Sequence, residues 1–144
     1  MQLFVLSSCP RESARLLDNR RVVKMIVESA QLLSTTLRTY GVEYGYKLTH
    51  INHPISIWVR TNRANYMWTL QHMEGLCEEY TRRYGKIHKC ESMIKKFSEL
   101  SVHVPEGELT AFCNFAKNDS KHLNFTHISD THEAYRMYLQ ARNK

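Results

Sequence analysis

Five glycines and three prolines are all the chain has to break regular structure across its 144 residues. That scarcity excludes collagen-like and low-complexity architectures and favours long helices. Long hydrophobic runs are also missing. The apolar stretch near the start, LFVL, is four residues long, too short for the core of a secretory signal. Nothing approaches the roughly 18 apolar residues of a membrane span. The four cysteines, Cys9, Cys77, Cys90 and Cys113, share no CxxC spacing. That argues against a zinc site or a disulfide framework and for free thiols in a reducing cytoplasm, the expected location. HExxH, P-loop, GxSxG and Rossmann glycine patterns are absent too, so the chemistries they signal have no support. No metal and no cofactor is expected.

What is present is the composition of one globular domain over residues 1–144, with 42% hydrophobic and 24% charged residues. The formal charge is +6, with eight histidines in addition. Such a surplus suits a polyanionic partner, because cations that neutralise phosphates release counterions.

Apolar spacing sets out the helices. Leu3 to Leu6 reads as a short extended or packed segment. Pro10 suits the first position of a short helix that runs to about Leu17. Asp18 or Asn19 can cap a longer helix to Tyr40, with Val22, Ile26, Ala30, Leu33 and Leu37 on its inner face and Gly41 as its stop. A loop from Val42 to Asn52 precedes PISIWVR, with Asn52 or His53 as cap. The next helix starts at Thr61 or Asn62 and ends before Gly85, with a stripe of Tyr66, Leu70, Met73, Cys77, Tyr80 and Tyr84. Lys89 to Leu100 should bury Met93, Ile94, Phe97 and Leu100. Residues 101–129 read as a long loop, and Asp130 with Glu133 forms a capping-box pattern before a last helix, Thr131 to Asn143. The fold expected is all-α, an irregular bundle of about five helices with little or no β.

Two constellations could carry chemistry. Arg20, Arg21, Lys24, Glu28 and Gln31 share one side of the second helix. Spacing alone makes Lys24 and Glu28 an ordinary i,i+4 surface pair; a carboxylate ringed by cations could equally act as a base or stabilise positive charge on a sugar. The second is THINHP with Trp58 and Arg60. Asn52 and His53 are either helix caps or groups that hydrogen-bond a phosphate or base edge, and Trp58 is either core or a stacking surface. Aromatic and basic residues interleave at Tyr44, Tyr46 and Lys47, at Arg63, Tyr66 and Trp68, and at Arg82, Arg83 and Tyr84, as in surfaces that bind opened or single-stranded nucleic acid. Tyr44, Tyr46 and Trp68 are the freer aromatics. Lys117, Lys121 and His122 form a candidate phosphate-contacting arm. Among nucleophiles, the amines of Met1 and Lys24 are the best candidates.

The stretches NRRVVKMIVESAQLLSTTLR, HINHPISIWVRTNRANYMW and CEEYTRRYGKIH, with the closing EAYRMYL, resemble small proteins common in bacteriophage genomes. More distantly, they resemble the pyrimidine-dimer DNA glycosylases of the phage endonuclease V type. The likeness covers most of residues 1–90. Glu28 stands nine positions after Asn19 with Arg21 between them; the resemblance makes Glu28 the catalytic carboxylate and puts Arg20 and Arg21 near the DNA backbone. His53, Trp58 and the RRYG end of the long helix fit the same pattern. That family uses the amine of an N-terminal threonine exposed by methionine removal. Here Gln2 is bulky and should leave Met1 in place, so the amine would be that of Met1 or Lys24. Asn19 and Arg21 stand where the family has Asp and His, which implies altered specificity or loss of catalysis.

The expectation is therefore a DNA N-glycosylase, with or without abasic-site lyase activity, acting on duplex DNA with a damaged or modified base. The target nucleotide would be held near Glu28 against Trp58 or Tyr46. Catalytic candidates are Glu28, Met1 and Lys24; nucleic-acid contacts are Arg20, Arg21, Asn52, His53, Arg60, Tyr46, Lys47, Trp58, Lys117 and Lys121. Two other classes fit the composition: a non-catalytic nucleic-acid- or protein-binding module, and an enzyme that cleaves glycosidic bonds of free nucleotides.

Overall fold

Of the two candidate caps, Asp18 starts the long helix: its carboxylate accepts from the Arg21 N–H at 3.0 Å. The structure is a computed structural model and describes all 144 residues. The helices are α1 (Pro10–Arg15), α2 (Asn19–Thr39), α3 (Pro54–Arg60), α4 (Arg63–Tyr84), α5 (Ile94–Glu99) and α6 (Thr131–Arg142). The only strands are β1 (Lys117–Asn118) and β2 (Leu123–Asn124), paired antiparallel with Lys117 opposite Asn124. The all-α reading holds, with one small hairpin inside the long stretch expected to be loop. No helix is long and apolar enough to cross a membrane.

Most boundaries follow from local chemistry. Pro10 sits in the first turn of α1, where its missing N–H costs nothing. His53 caps α3 by accepting from the Ile55 N–H at 3.1 Å, and Asn62 caps α4 by accepting from the Asn65 N–H at 2.9 Å. Gly85 closes α4 at φ +66, a left-handed conformation that a side chain would strain. At α6, Asp130 accepts from the N–H groups of His132 and Glu133. Glu133 does not complete a capping box; its carboxylate pairs with Arg136 at 2.6 Å.

The core forms where α2 and α1 lie against α4. Val22, Ile26, Ala30, Leu33 and Leu37 of α2 are all fully buried, as their spacing requires. On α4 the expected stripe holds through Tyr66, Leu70, Met73 and Cys77, but Tyr84 is exposed. A second face, with Trp68, His72 and Gly75, is buried as well, because α1 covers it. Gly75 permits that approach: a Cβ there would lie 3.1 Å from the Arg11 Cα and 3.0 Å from the Ala14 Cβ. Trp68, expected among the freer aromatics, is core, and its indole N–H donates to the Ser8 carbonyl at 2.9 Å. The segment from Lys89 is broken into a 3-10 turn, α5 and a second 3-10 turn rather than one helix, and of Met93, Ile94, Phe97 and Leu100 only Phe97 is fully buried. Arg83, from the basic end of α4, bonds the Leu17 and Arg15 carbonyls at 2.8 and 3.0 Å and so ties α4 to the α1–α2 joint.

His72 is fully buried and stacks on Trp68. Its Nδ1–H donates to the Pro10 carbonyl at 2.9 Å, which leaves Nε2 unprotonated and without a partner. Burial pushes its pKa down to about 4. Because the unfolded chain takes up this proton at a higher pH than the folded one, stability should be full above about pH 6.5 and fall as pH drops towards 4. The loss should reach about 3 kcal/mol. Urea midpoints measured between pH 7 and 4.5 should fall more steeply for the wild type than for His72→Asn; equal slopes would assign the acid sensitivity to another group.

Candidate active site

Two positions along α2 turn the chain by about 200°, so residues two steps from Val22 and Ile26 face away from the core. Those residues are Lys24 and Glu28, and Arg20 continues the row. They form one wall of a cleft of about 260 Å³. Met1 and Phe4 of the N-terminal segment, His53 at the start of α3, Phe115 and Lys117 beside the hairpin, and Tyr138 and Arg142 of α6 complete it. Its volume lies just below the roughly 300 Å³ lower bound of small-ligand pockets.

The floor is fixed by Gln2. Its amide N–H donates to the Phe115 carbonyl at 2.6 Å, and the Tyr135 hydroxyl donates to its Oε1 at 2.9 Å. The same hydroxyl accepts from the Phe115 N–H at 3.2 Å. This closed set of bonds seats residue 2 against the C-terminal half and leaves Met1 on the cleft wall. Tyr135 is fully buried, so its hydroxyl depends on these partners.

Charge in the cleft is one-sided. Arg20, Arg21, Lys24, Lys117 and Arg142 line it, and Glu28 is its one acid. Glu28 is half-buried and pairs with no cation within 4.0 Å, so the i,i+4 ion pair with Lys24 expected from spacing does not form. Arg21 is held: it bonds the Asp18 carboxylate at 2.8 Å and the side-chain Oδ1 of Asn143 at 2.7 Å, which joins the start of α2 to the end of α6. Its link to Asp18, together with that residue's other hydrogen bonds, holds the Asp18 carboxyl below its ordinary range against the opposing effect of burial. His53 packs on Phe115, ring centres 4.3 Å apart. Burial above all, and then the positive charges of the terminal amine, His50 and Lys117, push its pKa down. Nδ1 of His53 accepts the capping N–H, so the neutral ring carries its proton on Nε2.

The cleft therefore gathers Met1, Arg20, Arg21, Lys24, Glu28, His53 and Lys117 from the residues singled out in the sequence. Lys121 lies in an adjoining groove. Trp58 does not line the cleft: it is 6% exposed, and its indole N–H donates to the Ala111 carbonyl at 2.8 Å. Tyr46 lies elsewhere, its hydroxyl beside the Cys90 sulfur at 3.4 Å. Arg60 bonds the Ile51 carbonyl, and Asn52 and Lys47 are exposed and do not line the cleft. The aromatics present at the cleft are Phe4, Phe115 and Tyr138, none of which the sequence pattern singles out. One signal for the last was available: Tyr138 and Arg142 stand four apart on α6 and so share a face.

A family model described as pyrimidine dimer DNA glycosylase matches residues 1–92. The chain belongs to that family. No curated protein and no solved structure gives a match. At family level the function is that of a DNA glycosylase, and membership implies DNA as the substrate. The matched residues contribute Met1, the α2 row and His53 of the cleft, while Phe115, Lys117, Tyr138 and Arg142 lie beyond the match.

Tyr135→Phe removes the hydroxyl that joins Gln2 to Phe115 and leaves the part-buried Phe115 N–H without its acceptor, while Gln2 Oε1 keeps only the Leu3 N–H at 3.3 Å. It should lower stability by about 1–3 kcal/mol. The check is the urea midpoint; a change within error would mean that water replaces the hydroxyl.

Proposed function

We propose that the cleft is the active site of a DNA N-glycosylase that removes a damaged or modified base, with Glu28 as its catalytic carboxylate. The observation that carries this reading is an unpaired, half-buried Glu28 in one cleft with Met1, inside a wall of cations, in a chain of this family. The pyrimidine dimer for which the family is described is the first lesion to test.

In the proposed reaction the damaged nucleotide leaves the stack and its sugar sits beside Glu28. Breaking the C1′–N bond sends the bonding electrons to the base and leaves positive charge on the sugar, which a carboxylate stabilises. An amine in the cleft then bonds C1′ and loses a proton, and opening of the sugar ring gives an imine. Loss of a proton from C2′ and departure of the 3′ phosphate would cut the strand. We assign the amine to Met1, which lines the same cleft as Glu28 and whose positive charge is felt at His53. Lys24, one turn along α2, is the alternative. Without an amine step, Glu28 would activate water and release the base with no covalent intermediate. Arg20, Arg21 and Lys117 are proposed to meet the phosphates, and His53 to donate from Nε2 to the sugar or base.

Glu28→Gln should lower base release by about 10²–10⁴-fold, the span of positioned acid–base groups, while duplex binding persists. Base release that survives this substitution would remove Glu28 from the mechanism. Borohydride in a parallel reaction, followed by mapping of the adduct, separates the routes: an adduct on residue 1 supports Met1, one on Lys24 transfers the role, and free base without adduct leaves water.

A further inference from the structure

Beside the cleft, between the start of α2 and the end of α6, runs a groove of about 570 Å³ with no apolar residue in its lining. Part of its charge is already matched. Asp18 and Arg21 pair at 2.8 Å, Asn143 accepts from Arg21, and Asn19 accepts from Arg83 at 3.1 Å. Three cations remain, Arg20, Lys121 and Arg142, and none forms an ion pair or donates a side-chain hydrogen bond within the protein. The Arg142 Nε–H is buried and has no acceptor, whereas buried donors ordinarily have one.

These three come from separate parts of the fold and line one groove. Arg20 stands in the first turn of α2, and Arg142 ends α6. Lys121 is on the hairpin turn, where Asn118 accepts its N–H at 3.2 Å and the next residue, His122, takes a left-handed φ of 56. Like charges brought together by folding disfavour the fold unless an anion lies among them. Arginine forks and a lysine around a wholly polar groove suit the oxygens of a phosphate.

We infer that this groove is a second anion subsite, which holds a backbone phosphate of the strand whose damaged nucleotide occupies the cleft. The assignment rests on the DNA reading above. Arg20, Arg21 and Arg142 line both cavities, so a ligand in one borders a ligand in the other. A substrate that fills both carries a sugar at Glu28 and a phosphate among Arg20, Lys121 and Arg142. That arrangement selects a polynucleotide over a nucleoside. Lys121 and Arg142 lie beyond the residues matched by the family, so two of the subsite's three cations come from the C-terminal part of the chain.

The test is equilibrium binding of a short undamaged duplex across a series of potassium chloride concentrations, for wild type, Lys121→Gln, Arg142→Gln and Arg142→Lys. Each lost phosphate contact should reduce the slope of log K against log salt by about 0.9. Both glutamine variants should show that reduction, and Arg142→Lys should restore the slope. Slopes equal to wild type in both glutamine variants overturn the subsite. Lys121 is exposed and carries the test alone if the Arg142 variants melt early. Inorganic phosphate distinguishes the source: if it raises the wild-type melting temperature and the variants' salt slopes are unchanged, the ligand is a free phosphate and the backbone assignment fails. The duplex is undamaged and no turnover is measured, so failure of the glycosylase reading and failure of the subsite give different results.

Discussion

The seating of α2 across α4 fixes the direction in which every other feature of the site points. Five apolar side chains at steps of three and four lie fully buried along one side of α2. Each contributes about 1.5–3 kcal/mol when removed from water, except the smaller Ala30. Rotating the helix by even one residue would expose several of them, so its azimuth is set by the core. Once the apolar side is in place, helical geometry leaves Arg20, Lys24 and Glu28 no alternative to the opposite side. The cleft's chemistry is thus placed by packing that never touches a substrate.

A single helix face is only a surface, and here two ends of the chain turn it into a cleft. The N-terminal segment buries Leu3, Phe4, Val5 and Leu6 without forming regular structure, and Gln2 is pinned to Phe115 and Tyr135. From the other end, α6 brings Tyr138 and Arg142 to the opposite wall, and Arg21 joins the two helices through Asn143. Long-range contacts of this kind tie the first residues to the last. The family match, which ends at residue 92, therefore takes in the N-terminal segment, α2 and His53 of the site but not Phe115, Lys117, Tyr138 or Arg142.

The electrostatics follow from the same geometry. Cations collected from α2, the hairpin and α6 produce a concentrated positive field around one carboxylate. In a partly enclosed site such a field is less screened than at an open surface, and it favours an anionic polymer. Burial first, and then the charges of the terminal amine, His50 and Lys117, push the His53 pKa down, which favours a neutral ring with a hydrogen-bond donor of fixed orientation at the cleft wall. His72 illustrates the opposite case: a buried ring whose neutrality serves the junction of α1 and α4.

Local signals in the sequence determined much of the architecture. Pro10, Asp18, His53, Asn62, Gly85 and Asp130 begin or end helices because caps and breakers act on their nearest backbone groups. Spacing likewise put Arg20, Lys24 and Glu28 on one face, and motif likeness over the first ninety residues pointed to the family. The aromatics were harder. Trp58 and Trp68 look like stacking surfaces in a sequence of alternating basic and aromatic residues, yet both are core, because indole burial is decided by which helix covers them. The absence of a Lys24–Glu28 pair, the closure of the cleft by Phe115, Tyr138 and Arg142, and the pinning of Gln2 were also beyond the sequence. The closure and the pinning depend on contacts between residues far apart in the chain, and Lys24 and Glu28 each stay without an ion-pair partner although they stand four apart. Periodicity reports only the face of an element; the partner that meets that face is chosen by the packing of the whole chain.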